Sequence, residues 1–386
     1  MKAEQFEINI EQEVLDDVRR RLERTRLPAD YANDDWSYGT NREWLRGLVR
    51  HWLDEYDWRV HEHEMNQFTH HRVVIDDVPI HYLHQKGKGP NPKPLILTHG
   101  WPWTFWDLRH VIGPLTDPAA YGGDPADSFD VVIPSLPGYG FSMPLTRTGV
   151  NFWSTADLWV KLMRDHLGYD RFAAEGGDWG ALVTQQLGHK YSEHLIGSYL
   201  TLAIPLDFME AGIGYGDYEP HEQAAVDRVQ EVSHAVTSHI AVNVSDPQSF
   251  SYAMDDSPAG MAAWLIERRR AWSDCGGVVE KRFSKDELIT NTMLYWVTGS
   301  FVTAARFYAE LARNPWRPSH DRRPVVEAPT AIGVFPKEIL IPPRRWAEEY
   351  HNLKRWTPMT AGGHFAPAEE PQQLVADVRE FFRGRT

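Results

Sequence analysis

The sequence predicts an α/β chain: a mostly parallel, doubly wound sheet with a helical cap inserted into it and an extension ahead of it. Three observations carry this. Short apolar runs alternate with helical periodicity between Pro94 and Leu200, and strands separated by helices pair in parallel because each crossover must return over a face of the sheet. The alternation stops over residues 206–324, where four helix-like stretches follow one another, and resumes at Thr330. The Gly- and Pro-rich loops follow the strands at their carboxyl ends, where such sheets keep their ligands.

Residues 1–90 read as the N-terminal extension. Val14, Leu15, Val18 and Leu22 recur at helical spacing among charges, so residues 10–26 predict an amphipathic helix that Pro28 closes. Residues 44–58 predict a second helix on Leu45, Leu48, Val49 and Trp52, and residues 73–75 and 80–83 predict a hairpin about Asp76-Asp77-Val78-Pro79. His61, Glu62, His63 and Glu64, with His70 and His71, have a metal-like composition. Their spacing fits no ligand pattern, and the stretch reads as a solvated polar face. After the turn-rich residues 87–92, the first part of the core spans residues 91–205. Strands are expected at 95–98, 129–133, 171–174 and 195–200, with helices at 154–167 and after residue 180. In the cap, helices are expected at 233–244, 258–272, 284–297 and 301–313. Ser257 is a cap and Pro258 stands in the first turn of the second of these. Residues 325–386 complete the core with a strand at 330–335, a helix at 345–350, a stretch at 355–360 and a last helix at 372–383.

Bulk composition limits the function. A chain of 386 residues with 42% hydrophobic residues buries a sizeable core. A formal net charge of −14 argues against nucleic acid and anionic membranes as partners. One cysteine, Cys275, excludes an internal disulfide and fits a reducing compartment. No apolar run reaches the ~18 residues of a spanning helix, and the first residues lack an apolar signal core. A soluble, cytoplasmic protein is expected.

The chain is organised around Glu175-Gly176-Gly177-Asp178-Trp179-Gly180, between a strand-like and a helix-like run. That is the context of a nucleophile elbow, with Asp where ester hydrolases carry Ser. Small residues let strand and helix approach closely, and the helix N-terminus keeps an apical carboxylate ionised. A Gly-rich turn with an Asp cap would look similar. Two downstream residues decide between the readings. Glu338 follows the strand ending near Phe335, and His364 follows the last strand in Gly362-Gly363-His364-Phe365. Nucleophile, acid, histidine is the order of the α/β-hydrolase fold.

The chemistry assigns the roles. Asp178 attacks carbon and becomes an ester, His364 activates a water against that ester, and Glu338 orients the imidazole. The backbone N–H groups of Trp101 and Trp179 are the candidate oxyanion hole. An ester or amide substrate would leave an anhydride on Asp178, so attack on saturated carbon in an epoxide or alkyl halide fits better. Trp103, Trp106, Phe141 and Trp153 are candidate substrate-pocket walls, with core packing the equal alternative.

Five separated motifs carry a resemblance: His99-Gly100-Trp101-Pro102, Gly138-Tyr139-Gly140-Phe141-Ser142, Gly176-Gly177-Asp178-Trp179-Gly180, Arg306-Phe307-Tyr308 and Gly362-Gly363-His364-Phe365. In order and over nearly the whole chain they resemble the α/β-hydrolase-fold epoxide hydrolases. The branch is the one with an N-terminal extension, which includes the microsomal and juvenile-hormone enzymes and soluble bacterial relatives. The microsomal relatives carry a membrane anchor, and this chain is expected to start after it.

The resemblance implies the triad Asp178, Glu338 and His364, no cofactor and no metal, and Tyr308 as a hydrogen-bond donor to the epoxide oxygen. The family uses two such tyrosines. Counting back from Asp256-Ser257-Pro258, the first position holds His239. An imidazole can donate to an alkoxide, making ring opening more pH-sensitive. A helix-facing histidine is as often merely satisfied. The implied partners are a small-molecule epoxide, natural-product or xenobiotic, and water; a homodimer stays open. Two rival readings are a haloalkane-type dehalogenase of the same fold and a degenerate, non-catalytic ligand binder.

Overall fold

A computed structural model of the chain describes residues 3–210 and 212–386. Its strands are β1 Glu4–Phe6, β2 His70–Ile75, β3 Val78–Gln85, β4 Lys93–Thr98, β5 Phe129–Pro134, β6 Phe172–Gly176, β7 Leu195–Leu200, β8 Val326–Val334 and β9 His351–Pro358. They form one nine-stranded sheet in the order β1-β2-β3-β5-β4-β6-β7-β8-β9. β1, β2, β3 and β5 pair antiparallel in succession, and the rest of the sheet is parallel. β5, β6 and β7 are buried along their whole length, as strands covered by helices on both faces must be. This is an α/β-hydrolase fold.

The topology sets the site. The chain runs from β4 to β5 on one side and then crosses to β6 on the other. The loops after β4 and β6 therefore leave neighbouring carboxyl ends at a switch point, where a crevice opens. Among the described residues five α-helices stand between β7 and β8: Gln223–Ser245, Pro247–Asp256, Pro258–Trp272, Lys285–Thr298 and Phe301–Arg313.

Several expectations change. The second helix stops at Asp54, because Asp57 takes extended backbone and caps a separate helix, Trp58–Met65, through the Arg59 amide. The polar stretch on that helix is not wholly solvated. Glu62 is buried and accepts from the Trp58 indole and the Ile10 amide at 2.9 and 2.7 Å. His70 is buried in β2 and meets His81 at 2.9 Å. Among the described residues no group of three or more His, Cys, Asp or Glu is placed to hold a metal ion. The hairpin turns on Asp76 and Asp77, with φ of 50° and 61°, the left-handed pair a two-residue hairpin loop requires. The helices Arg109–Thr116 and Pro247–Asp256 carry prolines that mask them in sequence. Pro247 sits in the first turn, where a missing N–H costs nothing. Among the described residues no helix is long and apolar enough to cross a membrane.

Candidate active site

Asp178 occupies the turn between β6 and the helix Trp179–Lys190, with φ 51° and ψ −126°. That conformation is costly for a residue with a side chain, and the surrounding packing holds it. A Cβ on Gly180 would lie 1.8 Å from the Thr98 carbonyl oxygen, and one on Gly100 would lie 2.2 Å from Asp178 Oδ1. Both glycines are thus required for the elbow to seat against the loop after β4.

The Trp101 amide donates to Asp178 Oδ1 at 2.6 Å. The Trp179 amide opens the following helix, where first-turn N–H groups have no helical acceptor. Oδ2 of Asp178 lies 3.3 Å from His364 Nε2, and His364 Nδ1 meets Glu338 Oε1 at 2.5 Å. His364 and Glu338 are buried, whereas the Asp178 side chain keeps 13% of its exposure. Burial works to lower the His364 pKa, but the Glu338 and Asp178 carboxylates outweigh it and lift the imidazole to about 9. At neutral pH His364 is an imidazolium between two carboxylates.

The acid loop is held from two sides. The Lys337 amide donates to the Gly362 carbonyl at 3.0 Å, tying the Glu338 loop to the His364 loop. Arg228, buried on the helix Gln223–Ser245, donates to the carbonyls of Lys337 and Glu338 at 2.8 and 3.2 Å. Nothing in the spacing around Arg228 announces this; only its place on an inserted helix brings it there.

A cavity of about 400 Å³ opens over Asp178. Its walls include Leu182, Leu202, Phe208, Val232, Ile240 and Leu340, with Asp178, Trp179, Tyr308 and His239 at one end. Val229, Val232, Val236 and Ile240 also line it, and their three- and four-residue spacing is the signal that finds them. The expected pocket residues Trp103, Trp106, Phe141 and Trp153 are not among its walls. Trp103 packs edge-on to His364 with ring centroids 5.4 Å apart. Trp106 lies under the Arg109 guanidinium, and Phe141 packs on Phe6 and His81. The Trp153 indole is tied to the Asn314 carbonyl at 3.1 Å. Each ring serves packing, and the cavity is lined instead by the elbow, the segment after β7, the helix Gln223–Ser245, Tyr308 and residues 339–340.

Tyr308 and His239 stand together over Asp178. The His239 ring stacks on Trp101 at 4.8 Å. Its Nδ1 faces the Ala235 carbonyl at 3.3 Å and its Nε2 faces the Tyr308 hydroxyl at 3.1 Å. Burial, helped by the Arg268 charge, depresses His239 to about 3, so the ring is neutral. A carbonyl only accepts, which assigns the ring proton to Nδ1 and the lone pair to Nε2. His239 accepts from Tyr308. It is therefore not the ready donor its place in the sequence allowed, and no titration near neutrality accompanies it.

The family model for the epoxide hydrolase N terminus matches residues 3–108, and that for the alpha/beta hydrolase fold matches residues 93–218. A relative from Stigmatella aurantiaca (strain DW4/3-1), whose name places it among epoxide hydrolases, is 39% identical over 98% of this chain and 84% of its own. Epoxide hydrolase 1 of Oryctolagus cuniculus is 32% identical over 97% of this chain and 88% of its own. The structure of Aspergillus niger epoxide hydrolase superposes with a TM-score of 0.86 at 25% identity, covering 100% of this chain and 97% of that one. Likeness of this extent, sustained from the extension to the last helix, means that the chain belongs to the epoxide hydrolase family.

Proposed function

We propose that the enzyme converts neutral, apolar epoxides to vicinal diols through a covalent ester on Asp178. The observation that carries the reading is the continuous contact Glu338–His364–Asp178 at the inner end of an apolar cavity. Oδ1 of Asp178 is held by the Trp101 amide, which leaves Oδ2 to attack an epoxide carbon. The carbon–oxygen bond breaks toward oxygen, and the phenol of Tyr308 supplies the proton. Oδ1 becomes the ester carbonyl, already seated among donors that stabilise the tetrahedral oxyanion of the second step.

Esterification also prepares the base. It removes the Asp178 charge, one of the two that hold the His364 proton. The imidazolium then releases its proton more readily, a proton returns through solvent to the Tyr308 phenolate, and the neutral imidazole accepts one from the attacking water while Glu338 keeps it oriented. Water attacks the ester carbonyl, the diol leaves, and the carboxylate returns.

Substrate class follows from the walls. At about 400 Å³ the cavity has the size of a small-molecule site. Among the described residues its walls include no lysine or arginine, so an anionic substrate would lose its hydration without a partner. The buried rings of Trp101, Trp103 and Trp272 pack against His239 and His364 and are not among the cavity walls. Single turnover in ¹⁸O-water tests the mechanism: the first diol formed is unlabelled and the label enters Asp178. Label in the first diol would mean direct attack of water on the epoxide.

A further inference from the structure

Ring opening by Tyr308 leaves a charge to be accounted for. Once its proton has gone to the epoxide oxygen, Tyr308 is a buried phenolate. Burial, with Asp178 adding its charge, holds this phenol well above the ordinary tyrosine range. That suits proton transfer to an alkoxide, but the phenolate needs a donor at once. His239 turns a lone pair toward it.

Trp179 is placed differently. Its indole N–H is buried and, among the described residues, has no hydrogen-bond partner. The ring meets Tyr308 edge to face, with centroids 4.6 Å apart at 70°. Its other ring neighbours are Phe152, Phe208 and Phe307, none of which offers an acceptor. The side-chain oxygens within reach of its N–H are the phenols of Tyr308 and Tyr139; on each it works in the lowering direction, against burial and the Asp178 charge, which together raise both phenols. The Tyr139 hydroxyl has another outlet, a long contact of 3.4 Å to the Ala304 carbonyl. An indole N–H can only donate, and a buried donor without a partner is uncommon enough to call for an explanation.

We propose that Trp179 is a positioning residue for ring opening: its indole N–H closes onto the Tyr308 oxygen as the phenolate forms, supplying the donor that is absent at His239. The proposal rests on Tyr308 being the ring-opening acid. It gives Trp179 two separate tasks, with the backbone N–H serving ester hydrolysis and the side-chain N–H serving ester formation.

A double-mutant cycle tests it. Trp179→Phe removes the indole N–H and keeps the backbone amide. Rapid-quench single turnovers with styrene oxide, read by mass spectrometry on the Asp178 peptide, separate ester formation from ester decay. Trp179→Phe is expected to slow formation about 10- to 100-fold, the scale of one hydrogen bond to a charged group, and to leave decay within about threefold. With Tyr308→Phe already present, Trp179→Phe is expected to add little. A trifluoromethyl-substituted epoxide, whose alkoxide is less basic, is expected to lose less than styrene oxide. Multiplicative losses in the double mutant, or equal losses for both epoxides, would overturn the proposal and leave Tyr308 in its role. Unchanged ester formation in Tyr308→Phe alone is a distinguishable result that removes the acid and the proposal together. Replacing Trp179 by 3-benzothienylalanine keeps the ring's size and removes only the N–H, so a poorly folded phenylalanine variant does not end the test.

Discussion

The hydroxyl of Tyr308 donates to Nε2 of His239 across 3.1 Å, so the place at which the resemblance expects a second ring-opening donor holds an acceptor. In the resting enzyme the two groups satisfy each other, and an epoxide must draw the Tyr308 proton away from the imidazole. His239→Tyr puts a donor back and is expected to speed ester formation by about two- to tenfold, the worth of one net hydrogen bond. Because His239 is neutral down to about pH 3, the wild-type formation rate is expected to show no inflection from it between pH 5 and 8. Rapid-quench rates across that range check both points.

His364 gives a pH dependence of known sign. Its folded pKa, about 9, exceeds the ordinary 6.5. Its contribution to stability is full below pH 6.5 and is lost as pH rises through 9. Melting temperature is expected to fall over this window, and the fall should be smaller in Asp178→Asn, which lacks one of the stabilising charges. Ester decay is expected to rise with pH through a midpoint below 9, since the ester has already removed that charge. Calorimetry and single-turnover decay rates measure the two effects.

Glu175 is buried on β6, neither carboxylate oxygen has a hydrogen-bond partner among the described residues, and burial raises it to about 8. It is neutral at pH 7. A folded pKa above the ordinary 4.5 means stability present below pH 4.5 and lost as pH rises toward 8. Glu175→Gln keeps the shape and removes the titration. It is expected to stabilise the fold by about 3 kcal/mol at pH 7 and to change little at pH 4.5. Denaturant melts at the two pH values check this.

Arg228→Met removes the donors that join an inserted helix to the carbonyls of Lys337 and Glu338. The acid then loses part of its positioning while the cavity walls stay. The expected result is a fall in kcat of roughly tenfold with KM nearly unchanged, and slower ester decay with formation intact. Loss confined to KM would separate the loop from the triad.

The fold was legible because strand–helix alternation and its interruption are written in short periods, and the elbow was legible because Gly176, Gly177 and Gly180 cluster around one Asp. Glu338 and His364 were found through loop position and chain order. The pocket was not. Trp103, Trp106 and Phe141 sit beside the site in sequence, but the cavity opens toward Phe208, Val232 and Ile240, whose approach depends on how an inserted helix lies over the sheet. Tautomers were also out of reach. His239 changes from candidate donor to acceptor only because Ala235 presents a carbonyl to Nδ1. Arg228 acts on backbone atoms more than a hundred residues away, and no local pattern encodes that.

The central claim is the ester on Asp178, and trapping it is the most direct test. In His364→Gln no base activates water, so the ester should accumulate. Incubation with styrene oxide, digestion and mass spectrometry are predicted to show the Asp178 peptide heavier by the intact epoxide. An unmodified Asp178 in a folded variant whose wild-type parent turns the same epoxide over would contradict the account.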